Sequence, residues 1–289
     1  MEVEQEPTVP PATFDAPTQP ERSSSSIQTA FSLINFVALA VVVVLAALAI
    51  SSTPTRRDGG PATFAEDDPT ATTNDDTPEA QVALGIRYSE GDGATQNHAE
   101  AFRLFQLAAQ RGNAEGQFEL ARMYELGEGT PQSYSEAMRL YRLAADQGHE
   151  IAQFNLGVYF VRGYGVTPDN AAAARHFQLA ADQGYAAAQR ELGKMYSRGR
   201  GVAQNDSEAL RLFQLAVSQG DSDAQVELGQ MYSLGSGVAQ DQAEAVRLFR
   251  LAANQGNADG QLWLAEHYKF GWGVEPNYVE AIRLLRLSS

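Results

Sequence analysis

The chain has 289 residues, a formal net charge of −15, 44% hydrophobic residues and no cysteine. The missing thiols exclude disulfides, thiolate catalysis and cysteine-ligated zinc. An acidic chain without a Lys/Arg cluster argues against nucleic acid as the ligand, because phosphate contacts need dense cationic side chains.

Residues 1–26 collect Pro7, Pro10, Pro11, Pro17 and Pro20, then Ser23–Ser26, with an acidic balance. That composition buries no core and predicts a disordered tail. Residues 27–51 hold an apolar run from 30 to 50 in which only Ser32 and Asn35 are polar. At about 1.5 Å per residue the run spans a hydrocarbon core of about 30 Å, so a transmembrane helix is predicted. A buried core helix would find nothing on either side to cover it. A cleaved signal peptide would end near Ala47-Leu48-Ala49, but its leading region should be short and basic, and this one is long and acidic. Residues 52–77, with Pro54, Pro61, Pro69 and acids at 66–68 and 75–76, read as a flexible linker reaching roughly 30 Å.

From Pro78 onward the chain aligns with itself at a period of 36, with no insertion or deletion, as units 78–113, 114–149, 150–185, 186–221, 222–257 and 258–289. One column is Ala80, Gly116, Ala152, Ala188, Ala224, Gly260; the next is Gln81, Gln117, Gln153, Gln189, Gln225, Gln261. A fixed period of this size marks a solenoid whose units bury their apolar faces on one another. Ala80, Leu84 and Tyr88 form one stripe of a first helix, with Gly85 beside them where another helix can approach. Gly91-Asp92-Gly93 ends that helix, and Asn97 with Glu100 reads as a capping box opening a second. The cap column holds Asn97, Ser133, Asp169, Asn205, Asp241 and Asn277, followed three residues on by Glu except at Ala172. The second helix turns Ala101, Leu104, Phe105 and Ala108 inward and stops at Gly112. Twelve helices are predicted, as an all-α, right-handed αα-solenoid of six hairpins preceded by tail, transmembrane helix and linker.

The unit, clearest at Ala224 to Gly256, resembles the Sel1-like repeat over about three quarters of the chain. Tetratricopeptide repeats run at 34 residues and lack the Gly-x-Gly after the tyrosine. Departures are small: Phe160 stands for the tyrosine, His176 for a second-helix Leu, Ala94 and Thr130 for Val. The absence of cysteine sets the chain apart from the cysteine-rich members credited with β-lactamase activity. The resemblance implies a protein–protein interaction adaptor, here membrane-anchored, and roles in assembling membrane-associated complexes. Arg22 before the apolar run and Arg56-Arg57 after it tip the positive-inside bias by one residue toward a cytoplasmic repeat domain. The resemblance implies an exported one, and an extracytoplasmic side is the expectation carried forward.

No catalytic, cofactor or metal residues emerge. His98, His149, His176 and His267 fall in four different columns, so no pair shares a helix at ligand spacing. His176 sits in a core column and reads as a packed variant of Leu. Gly199-Arg200-Gly201 follows a helix rather than a strand, which removes the phosphate-cradle reading. Asn205-Asp206-Ser207 matches a glycosylation acceptor, but Asn205 is the expected helix cap. What remains is surface. Columns that vary among repeats point to a groove lined by Met123, Tyr159, Met195, Met231, Trp263, His267 and Phe270, joined by Trp272, suited to an extended peptide or partner helix. Ordinary packing of that Met column is the competing reading. The last helix ends at Leu287-Ser288-Ser289 with no polar capping helix after it, which predicts self-association or partner docking there. The expected function is therefore a scaffold binding a protein or peptide through its concave surface, held at a lipid bilayer by residues 30–50. A polysaccharide-binding protein or hydrolase with a site across repeats, using Glu227 or Glu266 beside Trp263 and Trp272, is the alternative, and an inert spacer the third reading.

Overall fold

A computed structural model of the chain describes residues 76–93 and 95–288. The predicted tail, the apolar run and the linker up to residue 75 lie outside the described residues. Within them there are twelve α-helices and no strand. They pair as α1 (Pro78–Glu90) with α2 (His98–Gln110), α3 (Ala114–Leu126) with α4 (Tyr134–Asp146), and α5 (Glu150–Arg162) with α6 (Asn170–Asp182). The series continues with α7 (Ala186–Arg198) and α8 (Asp206–Ser218), α9 (Ser222–Leu234) and α10 (Gln242–Asn254), α11 (Ala258–Phe270) and α12 (Tyr278–Leu287). No described helix is long and apolar enough to cross a membrane.

Every helix but α7, which follows Tyr185, starts at a residue whose side chain caps it. Thr77 Oγ1 accepts from the Ala80 N–H ahead of Pro78, and Asn97, Ser133, Asn205, Asp241 and Asn277 accept from the N–H of the Glu three residues on. The capping box is only half formed. The N–H of each cap already donates to the carbonyl at the end of the preceding helix, as Asn97 does to Tyr88 at 2.8 Å and Asn205 to Tyr196 at 2.9 Å. The Glu carboxylates are thereby released to pair with the Arg one turn later, Glu100 with Arg103 and Glu208 with Arg211, both at 2.6 Å. The caps of α3, α5, α9 and α11 were not foreseen: Asn113, Asp221 and Asn257 each accept from the N–H three residues on. His149 caps α5, its Nδ1 accepting from the Ala152 N–H while Nε2 meets Glu115 at 3.1 Å.

The two glycines of each loop do different jobs. In the loop after α7, Gly199 (φ 62°) ends the helix in the left-handed region. Gly201 (φ 72°) lies on the preceding repeat: a Cβ there would sit 2.3 Å from the backbone carbonyl of Asn170, the first residue of α6. Within a repeat, close approach is set on the first helix. A Cβ on Gly157 would fall 2.5 Å from the Phe177 ring, which is buried against it. Phe105, Phe213 and Phe249 fill the same place, buried like Leu156, Leu192 and Leu248.

Between repeats runs a ladder of buried glutamines. Gln153 Nε2 donates to the Ala145 carbonyl of the preceding repeat at 3.2 Å, and its Oε1 accepts from Gln183 at 2.7 Å. Gln117, Gln189 and Gln225 accept likewise from Gln147, Gln219 and Gln255. Buried amides persist because their hydrogen bonds are made. In the first repeat Arg111 takes the donor column and turns to Asp76 instead, which leaves Gln81 Oε1 without a partner.

Candidate functional site

First helices of neighbouring repeats approach one another, α1 to α3, α7 to α9 and α9 to α11, whereas no two second helices approach comparably. The first helices therefore line the inner side of the array. Their open face is a stripe at the second, sixth, ninth and thirteenth residues, steps of four, three and four that stay on one side of a helix. On α3 these are Glu115, Glu119, Arg122 and Leu126; on α5, Ile151, Asn155, Val158 and Arg162. On α9 they are Asp223, Glu227, Gln230 and Leu234, and on α11, Asp259, Trp263, Glu266 and Phe270. Leu234 is 73% exposed and Leu126 52%, far more than a chain-wide core would leave open.

The predicted groove residues divide. Trp263 and Phe270 belong to the stripe, and Trp272 stands beside it, 44% exposed. Met123, Tyr159, Met195, Met231 and His267 do not: each is buried, one position further round the helix and turned into the packing between helices. One residue along a helix rotates the side chain by about 100°, enough to move a column from water to core. In that column a partner could not reach them. Tyr159 stands edge-on to Tyr141 at 5.5 Å and to Tyr164 at 5.5 Å, its hydroxyl without a partner and its pKa pushed up by burial. Tyr141 instead donates to Glu125 at 2.6 Å. His267 lies between the Trp263 carbonyl at 2.8 Å and Gln242 Oε1 at 3.2 Å, and burial holds its imidazole below the usual range. His176 is half-buried and stacked on Phe160 at 5.4 Å, in keeping with a Leu substitute.

Charges on the stripe and beside it are organised between repeats. Arg190 of α7 reaches Asp221 at 2.8 Å and Asp223 at 3.1 Å, and Lys194 lies 3.2 Å from Glu191 and 3.7 Å from Glu227. In the second repeat Glu119, paired with Arg122 at 2.9 Å, has its pKa raised because burial disfavours its charge. The second helices and their caps carry ten acidic and ten basic residues, the rest of the array fifteen acidic and eight basic. All the net negative charge of the array thus lies on first helices and loops. Among the described residues no group of three His, Asp or Glu side chains could hold a metal ion. Aromatic contacts run from core to surface at the last repeat, from Phe249 to Trp263 and His267, then to Trp272 and Phe270.

The family described as Sel1 repeat matches residues 78–113, 114–149, 151–185, 186–221, 222–257 and 258–289. Among solved structures, a protective antigen present in uropathogenic Escherichia coli strains, displaying an SLR fold, superposes with TM-score 0.72 at 34% identity. It covers 78% of this chain and 48% of its own, so the chain spans about half the length of that relative. A Sel1 repeat protein from Oxalobacter formigenes gives TM-score 0.70 at 30% identity, covering 75% of this chain and 88% of its own. No curated protein matches the chain.

Proposed function

This chain belongs to the Sel1 repeat family, and on that footing we propose that its array is a scaffold that binds a protein segment along the inner stripe. Sel1 repeats are in general a non-catalytic, protein-binding fold. The observation that carries the reading is the contrast between neighbouring columns. Residues that make the fold recur in every repeat, whereas the stripe differs in each, from Glu119 and Leu126 to Asn155 and Arg162 to Trp263 and Phe270. A surface held rigid but chemically different along its length suits one extended partner read repeat by repeat. Residues 30–50 would hold the scaffold at a bilayer, where tethering raises the effective concentration of a partner in the same membrane.

A photo-crosslinking amino acid placed at Asn155 or Gln230, compared with Leu215 on the outer side, tests the site in the native membrane. Discrete adducts from the inner positions and none from Leu215 are expected. Equal adducts from both sides, or none from either, would reject the inner stripe as the binding surface and move the spacer reading ahead. The polysaccharide reading draws on the carboxylates and indoles of the last repeat, and adducts chased by soluble glycan would favour it.

A further inference from the structure

In the middle repeats the acids of the inner stripe have company: Glu115 meets His149, Glu119 meets Arg122, Glu191 and Glu227 share Lys194, and Asp223 meets Arg190. On α11 they do not. The stripe there alternates carboxylate and aromatic, Asp259, Trp263, Glu266, Phe270, and neither acid is in an ion pair within the described residues. Its neighbour His267 is buried and kept neutral, so it supplies no counter-charge.

The aromatic half of the stripe is open and pre-set. Phe270, 52% exposed, stacks on Trp272 at 4.8 Å, and Trp272 is braced edge-on by buried His267 at 5.5 Å. Trp263 rests on buried Phe249 at 5.8 Å. One cation already uses this platform: Lys269 Nζ lies over the Phe270 ring, 4.8 Å from its centroid. A ring face attracts a cation at such a distance.

We propose that this end of the inner face takes cationic side chains of a protein segment, arginine above all. Its planar guanidinium stacks on the Phe270–Trp272 pair with Glu266 one helical turn away, while Asp259, about 16 Å back along α11, balances a second cation of the same segment. Arginine fits better than lysine because one flat group can stack and hydrogen-bond a carboxylate together. A neutral glycan could stack on the same rings but would leave both carboxylates without a counter-charge. The inference rests on the inner stripe being a protein-binding surface and adds the chemistry it selects.

The only two tryptophans of the chain, Trp263 and Trp272, are both here, so intrinsic fluorescence of the full chain reads the site directly. A synthetic peptide of three Arg-Leu-Gly triplets should shift the emission, with affinity falling as salt rises. The double substitution Asp259→Asn with Glu266→Gln should weaken binding about ten-fold at unchanged helicity, as expected for loss of two partly screened ion pairs. Lys269→Ala should tighten it about three-fold by freeing the ring. An equal response to the Asp-Leu-Gly peptide or to chitohexaose, or an unchanged affinity in the double variant, would overturn the assignment. Normal crosslinks at Asn155 with no arginine-peptide response would remove this inference and leave the scaffold standing. The reverse pattern would keep the cation site and remove the extended stripe.

Discussion

Gly201 and Gly93 occupy the same column, with φ of 72° and 68°, but have different surroundings. A Cβ on Gly201 would lie 2.3 Å from backbone atoms of Asn170 and 2.8 Å from the Ala171 nitrogen. On Gly93, in the first repeat, it would meet only the tip of the Arg87 side chain, at 2.9 Å. Alanine in the left-handed region costs about 1–2 kcal/mol in either place. At Gly201 the overlap with a neighbouring helix start adds about 1–3 kcal/mol, the usual penalty for overfilling a packed contact. Gly93→Ala should therefore cost about 1–2 kcal/mol and Gly201→Ala about 2–5 kcal/mol. Urea unfolding of the full chain, followed by circular dichroism at the helical band, measures both. The column offers a graded check, since Gly273 meets the backbone at 2.3 Å but Gly165 only at 3.0 Å. Equal losses at 93, 165 and 201 would show that the loop swings clear and that the second glycine is not a spacer between repeats.

Gln183 is exposed, so Gln183→Ala leaves no cavity but strands Gln153 Oε1, and should cost about 1 kcal/mol by urea unfolding. Gly157→Ala drives a methyl into the Phe177 ring and should cost about 1–3 kcal/mol. Adding Phe177→Leu, which gives these two columns the residue types of Ala265 and Leu285, should recover part of that loss; strict additivity in the double-mutant cycle would refute the contact. Burial lowers the pKa of His267, so the unfolded chain takes up its proton first as pH falls below about 6.5. Stability should therefore fall as pH is lowered from 7 to 5. His267→Met, the residue used at Met123, Met195 and Met231, should flatten that slope in thermal melts, with a remainder from His176, whose pKa burial also lowers.

Much of the fold was legible because a repeat states its rules six times. Cap, stop and small-residue columns each have a local cause, so Asn205 could be read as a cap and Gly199 as a stop before any geometry. Contacts between units were harder to read. The invariant Gln column was plain in sequence, but nothing local shows that Gln153 donates to the Ala145 carbonyl of the preceding unit. The box glutamates were assigned to the cap because the pattern fits, yet their partners are Arg103, Arg139, Arg211, Arg247 and Arg283. An Arg three residues after each Glu was the available signal. His149 as a cap had a weaker one, its place in the column of Asn113, Asp221 and Asn257.

The groove shows why variable columns mislead. A column varies among repeats either because it faces solvent and can specialise, or because it fills a core whose other walls vary with it. The column of Met123, Tyr159, Met195, Met231 and His267 is of the second kind. Where it holds Tyr159, the ring is enclosed by Tyr134, Tyr141 and Tyr164; where it holds His267, Gln242 rises to meet the second ring nitrogen. Such compensation marks packing. The column one residue earlier, Arg122, Val158, Lys194, Gln230 and Glu266, changes charge from repeat to repeat, and its ion pairs, Arg122 with Glu119 and Lys194 with Glu191 and Glu227, are made to other residues of the stripe. Variation answered by the helices packed behind it belongs to the core, and variation answered only along the stripe belongs to the surface that a partner meets.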